Sequence, residues 1–286
     1  MAPPRAFDFA GEVAIVTGAG SRMDGEISNG RSTAILLARQ GTCVTLVNFN
    51  PDWAEETKRM IDEERGICEV TQADVTAEES CITAVARTIE LFGTVNILVN
   101  IVGVGGAMRD ATKLDIEARE RDFRINVTSM MLMSRHVIPE MRKNARVTIV
   151  KMGSVSGCDQ GHGGSAWTRE HLSELRLLGN GVYSNGSGLW HDDEMRQARI
   201  IQNLLKQEGT GWDVGYGKLT WETTGREIDS LTNLAAILFL CSKEAKWITG
   251  LIMPVDGVTT AGKADRPALT ADTLAEKNTG VPNSAT

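Results

Sequence analysis

Short apolar runs alternate with stretches of helical periodicity from residue 13 to residue 151. The pattern predicts strands over 13–17, 43–47, 67–72, 96–100 and 146–151 and helices over 31–40, 52–65, 78–92 and 115–143. The strand runs are apolar almost throughout rather than at every second position, which marks strands buried on both faces. Strand and helix in strict alternation then predict an α/β fold, a doubly wound parallel sheet with helices on both faces. Pro51-Asp52-Trp53 shows a typical helix start, with an acidic residue in the first turn where it complements the dipole. Beyond Gly262 the pattern lapses: Lys263 to Thr286 is polar, contains Pro267 and Pro282, and is expected to form a surface-draped or disordered tail. Residues 10–262 are therefore expected to form a single domain.

The first strand, Val13 to Thr17, runs into Gly18-Ala-Gly20-Ser21-Arg22 and then, after a further stretch, Ser28-Asn29-Gly30-Arg31 at the start of a helix. Strand, glycine-rich turn and helix in this order form a pyrophosphate cradle. Glycine permits torsions and a close approach that a Cβ forbids, and the helix start aims free N–H groups at an anion. Gly18 and Gly20 are expected in the turn, with Asn29 and Gly30 opening the helix. Glycine turns alone are a weak signal. Here the next strand ends in Asn48, where a dinucleotide-binding βαβ unit needs a group for the adenosine ribose.

Charge and cysteine usage narrow the class. The chain of 286 residues has a net charge of −7 with acidic and basic residues interspersed, so neither a nucleic acid nor an anionic membrane is an expected partner. The longest late apolar run, Ala235 to Cys241, is too short to span a bilayer, and a soluble cytoplasmic protein is expected. Cys43, Cys68, Cys81, Cys158 and Cys241 are scattered, as expected of buried thiols in a reducing compartment. His136, His162, His171 and His191 have no ligand spacing, and no metal site is expected. Met130, Met131 and Met133 lie on a predicted helix as core or interface filling.

Further motifs follow in series: Ala73-Asp74-Val75-Thr76, Asn100-Ile-Val-Gly103, Arg124-Ile-Asn126-Val, Met152-Gly-Ser154-Val-Ser-Gly157, and Trp247 to Gly257. In order and spacing they resemble the short-chain dehydrogenase/reductase family over roughly residues 10 to 262. The resemblance implies a Rossmann-like fold, NADP or NAD as cofactor, and hydride transfer between nicotinamide and a small carbonyl or alcohol. It implies a homodimer or homotetramer. Asp74 with Val75 resembles the family's adenine contact, and Asn100 with Gly103 its Asn-Asn-Ala-Gly motif. Ser184, in Val182-Tyr183-Ser184, resembles the residue after the sixth strand that meets the nicotinamide carboxamide.

Where an aspartate favours NAD by binding both ribose hydroxyls, this chain has Asn48. Arg22 is then a candidate cation for a 2′-phosphate, or a solvated loop residue, and the choice between NADP and NAD stays open. The extra stretch Arg22 to Ile27 lengthens the turn, and Ser28 stands where glycine is usual, so its Cβ is expected to crowd the pyrophosphate.

The catalytic set is incomplete. The family uses a tyrosine acid, a lysine four residues later, a serine and an asparagine; Ser154 and Asn126 match the last two. The only tyrosines, Tyr183 and Tyr216, are followed four residues on by Ser187 and Thr220, so no Tyr-x-x-x-Lys exists. The usual spacing from Ser154 leads to Trp167 and His171. An indole does not titrate in the working range, whereas a histidine does. His171 and Tyr183 are the candidate substitutes, although a lone histidine on a polar stretch is more often surface. A hydrolase triad at Ser154 is discounted for want of a Gly-x-Ser-x-Gly elbow.

Two segments break the family pattern and predict a fold disrupted around the fifth and sixth strands. Residues 158–181 are shorter than the helix and strand they replace; Leu175 to Leu178 is either a vestige of the sixth strand or part of a short helix, with the strand lost. Residues 217–235 read as an insertion between flanks that are otherwise continuous. The expected function is an oxidoreductase of poor turnover. The alternatives are an inactive cofactor-binding or interaction protein and a non-redox lyase or isomerase. The loops that set the substrate, 104–114 and 184–215, carry no decodable chemistry. Gly217-Lys218 and Leu231-Thr-Asn233 can be encoded by splice-donor and branch-point sequences, so 217–235 is expected to be a translated intron. Sequencing of the transcript checks this: messages lacking the segment are expected, and a population that all retains it overturns the reading.

Overall fold

The computed structural model describes residues 7–22, 28–104, 112–144, 148–154, 180–184, 230–248 and 252–255. Strands and helices alternate along the chain: β1 (Val13–Thr17), α1 (Asn29–Arg39), β2 (Cys43–Asn48), α2 (Pro51–Glu63), β3 (Ile67–Gln72), α3 (Glu78–Phe92) and β4 (Ile97–Asn100). They are followed by α4 (Ile116–Phe123), a π-helical turn (Arg124–Thr128), α5 (Ser129–Met141), β5 (Thr148–Ser154), β6 (Asn180–Ser184), α6 (Ser230–Cys241) and β7 (Ile252–Val255). The strands form one parallel sheet in the order β3-β2-β1-β4-β5-β6-β7. This is the doubly wound, Rossmann-like arrangement expected from the sequence.

Strand alternation explains the continuous apolar runs. Ala14, Val16, Val44, Leu46, Ile97, Val99, Val150 and Met152 pack beneath α1, α2 and α6. Their neighbours Ile15, Val47 and Leu98 pack on the other face against Cys81, Ala84 and Val85 of α3 and Leu132, Met133 and Val137 of α5. The thiols of Cys68 and Cys81 are pushed up by burial to about 12 and about 11, as expected of packing groups. Among the described residues no helix is long and apolar enough to cross a membrane.

The expected strands and helices form with boundaries shifted by a few residues, except that the long helix predicted over 115–143 is broken by the π-helical turn. The sixth strand corrects two expectations. It is neither lost nor placed at Leu175–Leu178. It is Asn180–Ser184, so Val182-Tyr183-Ser184 is part of the strand and does not follow it. Met152 pairs with Val182, Gly153 with Tyr183 and Ser154 with Ser184, so the sheet continues unbroken from β5 to β6. Val182 and Tyr183 favour a strand, and parallel pairing with β5 decided between the candidates. The connection 155–179, with Cys158 and His171, lies outside the described residues, as do Tyr216 and the tail. Helix α6 begins at Ser230, inside the segment read as inserted.

A buried polar link holds α1 and α2 to the first turn. Arg31 of α1 is almost fully buried; its Nε donates to Thr57 Oγ1 of α2 at 3.1 Å, and a terminal nitrogen reaches the Trp53 carbonyl at 3.4 Å. The Thr57 hydroxyl in turn donates to the Ala19 carbonyl at 2.7 Å. Thr57→Val keeps the shape and removes the hydroxyl, leaving a buried N–H and a carbonyl unpaired. It is expected to cost about 1–3 kcal/mol in urea unfolding; an unchanged midpoint overturns this role.

Candidate functional site

The order of the sheet reverses between β1 and β4, and crevices outside the carboxyl ends of strands at such a point are where this architecture binds ligands. The residues singled out from the sequence lie along that edge. Gly18 follows β1, Asn48 ends β2, Asp74 and Val75 follow β3, Asn100 ends β4, Ser154 ends β5 and Ser184 ends β6. Register sets neighbours side by side: Thr17 with both Val47 and Asn100, Asn100 with Lys151, and Ser154 with Ser184.

At the turn after β1, Gly18 has a φ of +69°, a region in which a Cβ is strained, and its N–H donates to the Val47 carbonyl at 2.8 Å. Gly30, in the first turn of α1, packs so closely that a Cβ there would lie 1.8 Å from the Gly18 carbonyl oxygen. The N–H groups of Asn29 and Gly30 open α1 and have no intrahelical partner, which suits an anion. Gly20 is required for a reason the sequence did not reveal: a Cβ there would lie 2.6 Å from Trp53 Cβ and 2.8 Å from Asn48 Nδ2. Ser28 has a structural role that the sequence did not show. It is the N-cap of α1, accepting from the Arg31 N–H at 3.2 Å and donating to the Gly20 carbonyl at 2.8 Å, so its side chain bridges the two ends of the lengthened turn. Among the described residues, then, the turn fits a pyrophosphate: two close-approach glycines and an open helix start.

At the end of β2, Asn48 is buried and its Nδ2 donates to the Asn50 carbonyl at 2.7 Å. Asn50 caps α2 through the Asp52 N–H. Arg22 is exposed, and its guanidinium lies 5.7 Å from the centroid of the Trp53 ring. This contact holds a cation beside Gly20, on the same side of the turn as Asn48. Asp74 Oδ1 accepts from both the N–H and the hydroxyl of Thr76, at 2.9 and 2.7 Å, which fixes the loop after β3.

On the other side of the reversal, Ile101 N–H donates to Thr17 Oγ1 at 3.1 Å and ties the ends of β1 and β4 together. Asn126 lies in the π-helical turn, and its side chain forms two bonds with the backbone of Val104, 2.8 Å from its N–H and 3.0 Å to its carbonyl. Gly103, exposed, precedes that anchor. The wide turn thus fastens the loop after β4. Asn100 is 1% exposed, and neither its Oδ1 nor its Nδ2 has a partner among the described residues. His136, away from this edge, bonds Glu78 at 2.9 Å and joins α5 to α3. His171 lies outside the described residues.

Lys151 was missed. It is wholly buried in β5, and burial pushes its ammonium down from 10.5 to about 8. The signal was in the sequence: a lysine within the apolar run Thr148-Ile-Val-Lys151-Met.

The fold is a Rossmann-like α/β sheet with the candidate site residues gathered along this edge. A model of the short chain dehydrogenase family matches residues 12–168, and the chain belongs to that family. The 7alpha-hydroxysteroid dehydrogenase of Escherichia coli K12 is 28% identical over 249 residues, covering 86% of this chain and 93% of that enzyme. The 2-(R)-hydroxypropyl-CoM dehydrogenase of Xanthobacter autotrophicus is 28% identical over 262 residues, covering 87% and 98%. The carveol dehydrogenase of Mycobacterium avium, solved in complex with NAD, shares the fold with a TM-score of 0.72 at 20% identity, over 88% of this chain and 98% of that one. By family the chain is an oxidoreductase.

The buried lysine sets a pH dependence. Below pH 8 the amine is charged in both folded and unfolded chains, and burying it costs up to roughly 3 kcal/mol. Between about 8 and 10.5 the unfolded chain holds more protons, so stability rises with pH across that window. Lys151→Met is therefore expected to be more stable than the wild type at pH 7, with the difference shrinking by pH 10 in urea titrations. A pH-independent difference overturns this assignment.

Proposed function

We propose that the protein transfers hydride between NADP(H) and a small carbonyl or alcohol, in the cytoplasm, as a homodimer or homotetramer. The observation that carries this reading is the alignment of the glycine turn, Asn48, Asp74, Asn100 and Ser154 on one carboxyl edge at the strand-order reversal. Asn29, Gly30 and the turn at Gly18 would hold the pyrophosphate, Asp74 and Val75 the adenine, and Asn100, Gly103 and Ser184 the nicotinamide end. Bound there, the nicotinamide supplies or accepts the hydride. The chain's part is to orient the substrate oxygen, the role of Ser154, to hold the loop after β4 through Asn126, and to move a proton.

Two features favour NADP over NAD. Asn48 brings no carboxylate to repel a 2′-phosphate, and its amide nitrogen is committed within its own loop. Arg22 is held by Trp53 beside that position. One observation favours a second reading, binding without turnover: the sequence holds no Tyr-x-x-x-Lys, leaving Tyr183 and His171 as the acid candidates.

Titration of the protein with NADPH and NADH, followed by nicotinamide fluorescence, tests both. NADPH is expected to bind more tightly, and Arg22→Ala to weaken NADPH roughly tenfold, the value of one charge-assisted phosphate contact, while leaving NADH unchanged. Equal loss for both cofactors overturns the role of Arg22. Failure of the wild type to bind either overturns the cofactor reading, and binding without turnover over a carbonyl panel supports the second reading.

A further inference from the structure

We propose that Trp53 is a specificity-determining residue of the cofactor site, its ring holding the Arg22 guanidinium in place for a 2′-phosphate before the dinucleotide arrives. The inference deepens the NADP reading given above and rests on it. It assigns the preference to a residue of α2 that acts on the ligand through Arg22, so Trp53 is a positioning residue.

Trp53 can serve as a platform because its backbone is fixed from three directions. Asn50 caps α2 by accepting from the Asp52 N–H at 2.9 Å, and Pro51 in the first turn presets the helical backbone. The Trp53 carbonyl accepts from a terminal nitrogen of the buried Arg31 at 3.4 Å, and Arg31 also bonds Thr57 one turn further along α2. Gly20 supplies the third restraint. Trp53 Cβ and the Trp53 carbonyl carbon would lie 2.6 and 2.7 Å from a Cβ at that position, so the turn runs directly against α2.

Arg22 follows Gly20 by two residues, is exposed, and lies with its guanidinium carbon 5.7 Å from the centroid of the Trp53 ring, within cation–π range. Among the described residues no carboxylate pairs with it. An exposed arginine samples many rotamers, and a ligand that has to order it binds more weakly for that reason. The ring removes part of this cost beforehand. Arginine suits the arrangement: a guanidinium laid against a ring keeps its in-plane N–H donors for a phosphate, whereas an ammonium has no separate face and edge. Asn48 brings the end of β2 to the same place, since its Nδ2 would lie 2.8 Å from the Gly20 Cβ position. The 2′-phosphate is the group that separates NADP from NAD, so a device acting through Arg22 changes one affinity and leaves the other.

A purely structural Trp53 would only pack α2 against the turn, and substitutions separate the two roles. Trp53→Leu keeps the Cβ and an apolar side chain but has no aromatic face, and Trp53→Phe restores a face. By nicotinamide fluorescence, Trp53→Leu is expected to weaken NADPH about threefold, the value of an exposed cation–π contact, and to leave NADH unchanged. Trp53→Phe is expected to recover most of that loss, and Trp53→Leu to have no further effect in an Arg22→Ala background. Should Trp53→Leu not fold, the wild type carries the test. With 15N at the indole nitrogens, the six tryptophans give separate NMR signals, and the one shifted by Arg22→Ala, a surface substitution, reports Trp53. Adenosine 2′,5′-bisphosphate is expected to move that signal and adenosine 5′-monophosphate to leave it in place. Equal loss of NADPH and NADH, additive losses in the double variant, or equal indole shifts with the two nucleotides overturn the role of Trp53 and leave the cofactor reading standing. A wild type that binds neither dinucleotide overturns both.

Discussion

Of the described glycines, the one with least room for a Cβ is Gly30, where the first turn of α1 meets the residue that follows β1. Gly30 lies so near the Gly18 carbonyl that no side chain fits between them, and Gly18 adopts a left-handed conformation to turn the chain there. This approach fixes the angle at which α1 leaves the sheet, and with it the direction of the open N–H groups at the helix start. Trp53 closes the same turn from α2 by occupying the space above Gly20, and the Arg31, Thr57 and Ala19 chain of hydrogen bonds locks the three segments together. The turn can be longer than is usual in the family because Ser28 bridges back to Gly20 and caps the helix in the same stroke.

Once that turn is fixed, the parallel sheet does the rest of the positioning. Every strand runs the same way, so every strand delivers its last residue to one edge, and the order reversal between β1 and β4 opens a crevice there. Residues as far apart in sequence as Gly18, Asn100 and Ser154 reach the same edge of the sheet for this reason. Thr17 and Asn126 contribute by tying the loop after β4 to the sheet and to the π-helical turn, so the side of the crevice beyond the reversal is held from two directions.

The same sheet carries its one fully buried lysine at this edge. A charged strand residue covered on both faces opposes the packing that makes the sheet stable, and the depressed ammonium is the electrostatic expression of that conflict. Its register partner is an amide whose hydrogen-bonding capacity is unused among the described residues. Polar groups in these states collect at functional edges, because elsewhere in a core they have no return for their cost.

The order of strands and helices, the glycine turn and the family were legible in the amino-acid sequence, because each rests on local periodicity or on contiguous motifs. The apolar runs marked β1 to β5 within a few residues, and Asn48, Asp74, Asn100 and Ser154 stood out at their ends. Other features depended on contacts distant in sequence and needed the tertiary structure. Gly20 is a glycine because of Trp53, Ser28 is a cap because Gly20 faces it, and the sixth strand is Asn180–Ser184 because β5 pairs with it there. Lys151 was visible as a letter in an apolar run, but only the sheet, by burying it in register with Asn100, pushed its ammonium down to about 8.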